Sequence, residues 1–275
     1  MAYEIGLSSA GKVMDEQLFA AYRDAGLSCM EISRDLYGFE KVDFAEVKRL
    51  ADRYGIRLWS MHLPFDPFHI LDPSSADGEK RRETVKHFTE LICKGAEIGV
   101  GKFVVHASIE PITDEERGER MKYAKQTLAQ LAEIAGREGA VICVEDLPRS
   151  CIGNCSADIA ELISADDRLR VCFDTNHLMI EDNIDFVRAV GDKIVTLHVS
   201  DYDFPNERHW LPGEGTTDWQ ALYGTLNDVG YSGPWLYEIG FRAPSHRPRS
   251  RDLTCADFAR NAREIFEGAP LTVIN

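Results

Sequence analysis

The chain has no long apolar run. No segment of its 275 residues approaches the roughly 20 consecutive apolar positions that crossing a bilayer takes. The opening MAYEIGLSSAGK also lacks a basic stretch followed by an apolar core. These absences predict a cytoplasmic protein with no membrane partner. A disulfide framework is missing too: the seven cysteines (29, 93, 143, 151, 155, 172 and 255) are odd in number and scattered along a long chain. Cys151 and Cys155, the one close pair, do not have zinc-knuckle spacing, so free thiols are expected. Positive charge is scarce. Against 46 Asp and Glu stand 31 Lys and Arg, and the formal charge of −15 repels a phosphate backbone, which argues against a nucleic-acid partner. Finally, no Ser/Gly spacer, Pro-rich linker or low-complexity tract divides the sequence, so residues 1–275 read as one domain.

What is present is repetition. Eight short runs rich in β-branched residues alternate with longer segments of helical periodicity, the pattern of repeated βα units. The runs are 3–8, 29–34, 57–63, 102–107, 141–147, 170–175, 194–200 and 235–240. N-caps are expected at Asp43, Asp114 and Asp218. Gly26, Gly55, Gly99, Gly139 and Gly230 each follow a helical stretch, where a left-handed C-terminal residue belongs. Eight strands with as many helices predict an α/β fold closed into a single (β/α)8 TIM barrel.

Strand parity agrees with closure. Ser60, Val104, Cys143, Cys172, Thr196 and Leu236 share one parity and are mostly small, as a narrow interior needs. Trp59, Met61, Phe103, Val105, Ile142, Phe173, Val195, Leu197, Trp235 and Tyr237 share the other and are bulky enough to pack under helices.

The chemistry-bearing residues fall at six strand C-termini, all with inward parity: MHLP (His62), VVHAS (His106), VICVEDLP (Glu145), VCFDTNH (Asp174), LHVSD (His198) and LYEIG (Glu238). That rim is where barrels gather reactive groups, because its loops vary without disturbing the core. Carboxylates brought close together in a buried place repel one another and take up protons unless a cation holds them, so Glu145, Asp174 and Glu238 argue for a divalent metal. A neutral His198 imidazole completes a mixed N/O set suited to manganese, cobalt, zinc or magnesium. His177, three residues beyond Asp174, and the loop NERHWLPGEG with Glu207, Arg208 and His209 lie just past the rim.

Taken in order, VEDLP, FDTNH, LHVSDYD, the loop ending PGEG and LYEI resemble the xylose isomerase-like, or AP endonuclease family 2, barrels, which include sugar isomerases and ketose epimerases. The resemblance covers essentially the whole chain. It implies Glu145, Asp174, His198 and Glu238 as metal ligands, the two glutamates as an acid/base pair, and His177 and Arg208 as holders of substrate oxygens. Ketose epimerases tend to follow the strand-seven histidine with Gly-Glu, whereas Val199, Ser200 and Asp201 follow here, so their sugar specificity does not carry over. His62, His106, His177, Glu207 and His209 also match the further zinc ligands of endonuclease IV, apart from Glu for Asp at 207. One metal is therefore expected, with an inventory that extends to three.

The favoured activity is isomerisation or epimerisation of a sugar or sugar phosphate by proton transfer through a metal-stabilised enediolate. In that reading His62 and His106 bond substrate hydroxyls or hold a second metal. The alternatives are a multinuclear zinc phosphodiesterase, against which the acidity speaks, an enediolate-type lyase of sugar derivatives, and a non-catalytic sugar-binding subunit. The one basic stretch, GFRAPSHRPRSRD with Arg242, His246, Arg247, Arg249 and Arg251, reads as a solvated loop or a contact in a homo-oligomer ahead of a phosphate site.

Overall fold

The computed structural model describes residues 2–274. Eight strands run in sequence: β1 Ile5–Ser8, β2 Cys29–Ser33, β3 Arg57–His62, β4 Lys102–His106, β5 Val141–Glu145, β6 Arg170–Asp174, β7 Ile194–His198 and β8 Trp235–Tyr237. Between and after them come α1 Glu16–Ala25, α2 Leu36–Phe39, α3 Phe44–Tyr54, α4 Gly78–Glu97, α5 Asp114–Arg137, α6 Ser156–Ile163, α7 Asn183–Val190, α8 Trp219–Asp228 and α9 Cys255–Glu267. All strand pairs are parallel, in the order β7-β6-β5-β4-β3-β2-β1-β8. Between β7 and β8 the ring closes through a single bridge, Val199 with Tyr237, where Val199 N donates to Leu236 O at 2.8 Å and Glu238 N to Val199 O at 3.2 Å. The architecture is the expected (β/α)8 barrel.

Every expected strand is present; β1 starts two residues late, and the other seven stop one to three residues early. Leu63, Ala107, Leu147 and Ile239 continue the apolar pattern past the last paired residue because they are buried beneath the rim loops. Hydrophobicity reports burial, and at these ends burial outlasts pairing. Asp43 and Asp218 cap α3 and α8 as expected, accepting from Glu46 N and Ala221 N. The cap of α5 is Thr113 instead of Asp114, since the Thr113 hydroxyl and the Glu116 side chain bond each other's backbone in a capping box. All five expected glycines have positive φ.

Parity holds inside the barrel, where Val104, Cys143 and Cys172 form their own buried cluster. It fails at two outward assignments, Trp59 and Val195. Pairing between β2 and β3 jumps from Met30–Leu58 to Glu31–Ser60, and between β6 and β7 from Val171–Ile194 to Cys172–Thr196, so each of the two skipped residues is the extra one at an irregularity. Such a bulge re-aims its side chain. Trp59 accordingly reaches across the floor to donate from Nε1 to Thr196 Oγ1 at 3.1 Å, with Lys102 Nζ 3.5 Å from its ring centroid. Val195 packs against the interior cluster.

The seven cysteines are free thiols. Among the described residues no helix is long and apolar enough to cross a membrane.

Candidate active site at the strand ends

Glu145, at the end of β5, is the hub. Its Oε2 lies 3.0 Å from His62 Nε2 and 3.0 Å from His106 Nε2, and its Oε1 accepts from His198 Nδ1 at 2.7 Å. Glu145, Asp174, His198 and Glu238 each offer a ligand atom within 4.8 Å of the others. They stand at the ends of four successive strands, Glu238 one residue past β8, and the parallel register of β5 to β8 brings those ends to one level.

Hydrogen-bond partners decide the proton inventory. His62 Nδ1 faces the Leu63 carbonyl at 2.8 Å, which can only accept, so Nδ1 carries a proton. Its Nε2 then needs a second proton to donate to Glu145. Burial opposes that charge, but Glu145, with Glu31 and Glu238 behind it, pushes the His62 pKa up to about 9. His198 is in the same position, with a carboxylate at each ring nitrogen: Glu145 at Nδ1 and Glu31 Oε2 at Nε2, 3.0 Å away. Its pKa is raised well above the ordinary value against burial, through Cys172 and the carboxylates of Glu238, Glu31 and Glu145. His177 is raised likewise, burial being outweighed by Asp174, Glu207 and Glu145. For His106 burial wins and the pKa falls.

The carboxylates mirror this. Burial would raise Glu145, but His198, His106 and His62 hold it well below the usual range. Glu238 is lowered against burial, chiefly by His198. Asp174 is pushed up to about 6 by burial, with Glu238 and Glu145 adding. Its Oδ2 is buried without a hydrogen-bond partner, while Oδ1 accepts from Asn176 N at 2.7 Å. Three carboxylates, one of them with an oxygen free of hydrogen bonds, and one imidazole make a donor set that fits a divalent cation. The raised histidines and the lowered Glu145 and Glu238 balance one another's charge.

The two glutamates differ in access. Glu145 has a side-chain exposure of 1% and Glu238 of 16%. Glu238 borders a cavity of about 670 Å³ that Lys12, Arg34, Phe65 and His209 also line. His106 and His177 line a smaller one, of about 100 Å³, with Arg149 and Glu207.

The loop after β7 delivers Glu207 and His209, which meet His177 from the loop after β6 in a second group. Asp201 organises it. Its Oδ2 accepts from Gly213 N, Gly215 N and Trp219 Nε1 at 2.8–3.0 Å, and its backbone pairs with Trp210. A Cβ on Gly215 would lie 2.2 Å from Tyr202 O, so only glycine allows this fold of the loop. Asn176 Oδ1 accepts from Arg208 N and His209 N, which ties the loop to β6. His209 takes a left-handed φ of 51°, donates toward Glu238 O, and sits 3.0 Å from Glu207 Oε1. Burial would raise Glu207, but His177 and His209 hold it far below its ordinary range. Arg149 Nη1 also pairs with Glu207, at 2.8 Å.

Arg208 is placed differently from the rest: its guanidinium bonds Asp203, 2.9 Å from Nε and 2.8 Å from Nη2. The basic stretch after β8 is largely engaged within the chain. Arg249 pairs with the buried Glu214, Arg251 with Asp257, His246 accepts from Trp210 Nε1, and Arg247 lies over the Trp210 ring. Sequence reasoning missed Glu31, Asp146, Asn176 and Asp201. For Glu31 a signal existed: a charged residue mid-strand in CMEIS, on the inward parity with Cys29 and Ser33.

The model of the xylose isomerase-like TIM barrel family matches residues 19–265. Over 206 residues the chain is 28% identical to an inosose isomerase of Bacillus licheniformis, covering 70% of each. Over 190 residues it is 28% identical to the 3-dehydro-D-guloside 4-epimerase of Escherichia coli, covering 63% of this chain and 70% of that protein. A third relative, an uncharacterised protein of Methanocaldococcus jannaschii, is 26% identical over 193 residues, and the match spans 64% of its length. Among solved structures, an L-ribulose 3-epimerase superposes with a TM-score of 0.77 at 23% identity, covering 97% of this chain and 94% of the other. A D-tagatose 3-epimerase-like protein gives 0.79 at 21% identity, covering 96% of both.

Proposed function

Because the chain belongs to the xylose isomerase-like TIM barrel family, we propose that it is a divalent-metal-dependent isomerase or epimerase of a keto sugar or sugar derivative. The observation that carries the reading is the convergence of Glu145, Asp174, His198 and Glu238 within 4.8 Å beside a cavity large enough for a sugar. These four residues would hold the cation. When bound, it supplies Lewis acidity that polarises a substrate carbonyl and acidifies the neighbouring C–H. The named activities of the Bacillus and Escherichia relatives support the same class.

Glu238 is the glutamate with an open face, and it takes or gives the proton from the side of the large cavity. Glu145 serves the opposite side. Its histidine contacts make it a relay, since His62 Nε2 and His106 Nε2 lie 3.0 Å from the same oxygen and exchange a proton with it. His106 and His177, which line the smaller cavity, bond substrate oxygens in this scheme; His62, expected to do the same, has both ring nitrogens engaged by Leu63 O and Glu145 and serves the relay alone. Arg208 joins them once its guanidinium leaves Asp203.

The test is isotope exchange in deuterated water, using a keto sugar found by screening. Glu→Gln keeps shape and a ligand oxygen but removes the base, so one of Glu145→Gln and Glu238→Gln should still label the substrate α-carbon without forming product, and the other should do neither. Turnover loss is expected at about a hundred- to ten-thousand-fold. Wild-type turnover that leaves no label at carbon would sink the scheme.

A second reading has one observation in its favour, the His177, Glu207 and His209 group, which permits a multinuclear phosphodiesterase. Metal analysis separates the two: near one equivalent supports the sugar enzyme, near three the hydrolase.

A further inference from the structure

The interior of the barrel holds one carboxylate that the scheme above does not use. Glu31 lies in the middle of β2, fully buried, with Cys29 and Ser33 on the same parity. The other inward positions near its level carry Ser60, Val104, Cys143 and Cys172, any of which shows that a small neutral side chain fills such a place. An ionised carboxylate there is costly unless it is bound, and this one is bound by two donors: Ser60 Oγ at 2.8 Å and His198 Nε2 at 3.0 Å, both to Oε2. Oε1 has no partner.

We propose that Glu31 is a positioning residue: it holds the His198 ring with Nε2–H toward β2 and so fixes Nδ1 as the nitrogen presented to Glu145, Asp174 and Glu238. The inference rests on the metal-centre reading above. Distances give the direction. His198 Nδ1 lies 2.7 Å from Glu145 Oε1, 3.5 Å from Glu238 Oε2 and 3.8 Å from Asp174 Oδ2, whereas Nε2 points away from all three and at Glu31. An imidazole ligates through one unprotonated nitrogen, and the hydrogen bond at the other selects which. Without Glu31 the proton is free to settle on Nδ1, and the ring loses its carboxylate anchor, keeping beside β6 only the weak contact of the Cys172 thiol. Ser60 completes the arrangement by aiming the carboxylate, which would otherwise have a free rotor.

The experiment uses Mn²⁺ alone as probe, with the full-length protein and ¹⁵N-labelled histidine. Glu31→Ala should weaken Mn²⁺ binding about ten- to a hundred-fold by calorimetry, the usual cost of losing a partner behind a metal-binding histidine. It should also abolish a slowly exchanging, downfield Nε2 proton signal from His198. Glu31→Gln keeps an acceptor oxygen and should restore both to near wild type; Ser60→Ala should fall between. A merely structural role would lower thermal stability in Glu31→Ala yet leave Mn²⁺ affinity within about twofold, and that result overturns the proposal. If Glu31→Ala does not fold, Glu31→Gln and Ser60→Ala carry the same comparison, and loss of the Nε2 signal without loss of affinity again overturns it. Should wild type bind no Mn²⁺ while the Nε2 signal is present, the metal-centre reading fails and the ligand-selecting role with it, while the His198–Glu31 contact itself stands.

Discussion

Removing metal with a chelator should turn rising pH into a destabilising variable for this protein. His62 has an ordinary pKa of 6.5 and is pushed up to about 9 in the fold by its contact with Glu145. A group raised on folding contributes stability that is fully present below its unfolded pKa and disappears as pH climbs through the folded one. The window is therefore from about 6.5 to about 9. At about 1.4 kcal/mol per pH unit, the displacement is worth on the order of 3 kcal/mol, and it is counted once because the same contact depresses Glu145. His177 and His198 shift in the same direction and add to it. For a chain of this length a loss on the order of 3 kcal/mol lowers Tm by roughly 6–12 °C. With excess Mn²⁺ the trend should flatten or reverse, since a coordinating imidazole nitrogen has to release its proton and alkaline solution helps it do so. Differential scanning calorimetry at several pH values, with chelator and with Mn²⁺, reads both curves. A chelated Tm that holds or rises between pH 6.5 and 9 would refute the protonated-histidine account of the metal-free site.

Two further outcomes follow from packing. The same Gly→Ala change should have opposite signs in two helices: at Gly95 in α4 a Cβ would meet Phe103 Cε1 at 2.6 Å, so urea unfolding should show a loss of about 1–3 kcal/mol, whereas at exposed Gly118 in α5 nothing lies within 4 Å and a gain of up to about 1 kcal/mol is expected. Asp201→Ala removes the acceptor for Gly213 N, Gly215 N and Trp219 Nε1, so limited proteolysis should cut between residues 203 and 216 well before any cut in wild type, with the metal affinity of His198 retained.

The alternation of strands and helices was legible because each element has its own hydrophobic period, and the rim residues were legible because parity places His62, His106, Glu145, Asp174, His198 and Glu238 on one face. Parity is also where the reading stops. Trp59 and Val195 turn inward at bulges, and a bulge leaves no mark in a pattern of apolar residues. Asp201 was visible only as a loop aspartate, since its work depends on backbone N–H groups up to sixteen residues away that have no side-chain signature. The different surroundings of Glu145 and Glu238 follow from which histidines meet in space, and spacing along the chain does not encode that meeting.

The single bridge between β7 and β8 has a consequence for how the ring is held shut. Every other neighbouring pair of strands is laced by at least two registered partners, but here Val199 and Tyr237 are the whole seam. His198 and Glu238 flank it, one on each lip. A cation gripped by both would act as a buckle, joining the two last-made strands of the chain across the weakest stave. Occupancy of the centre and integrity of the hoop would then be one property, and a protein that loses its ion would loosen first along that line.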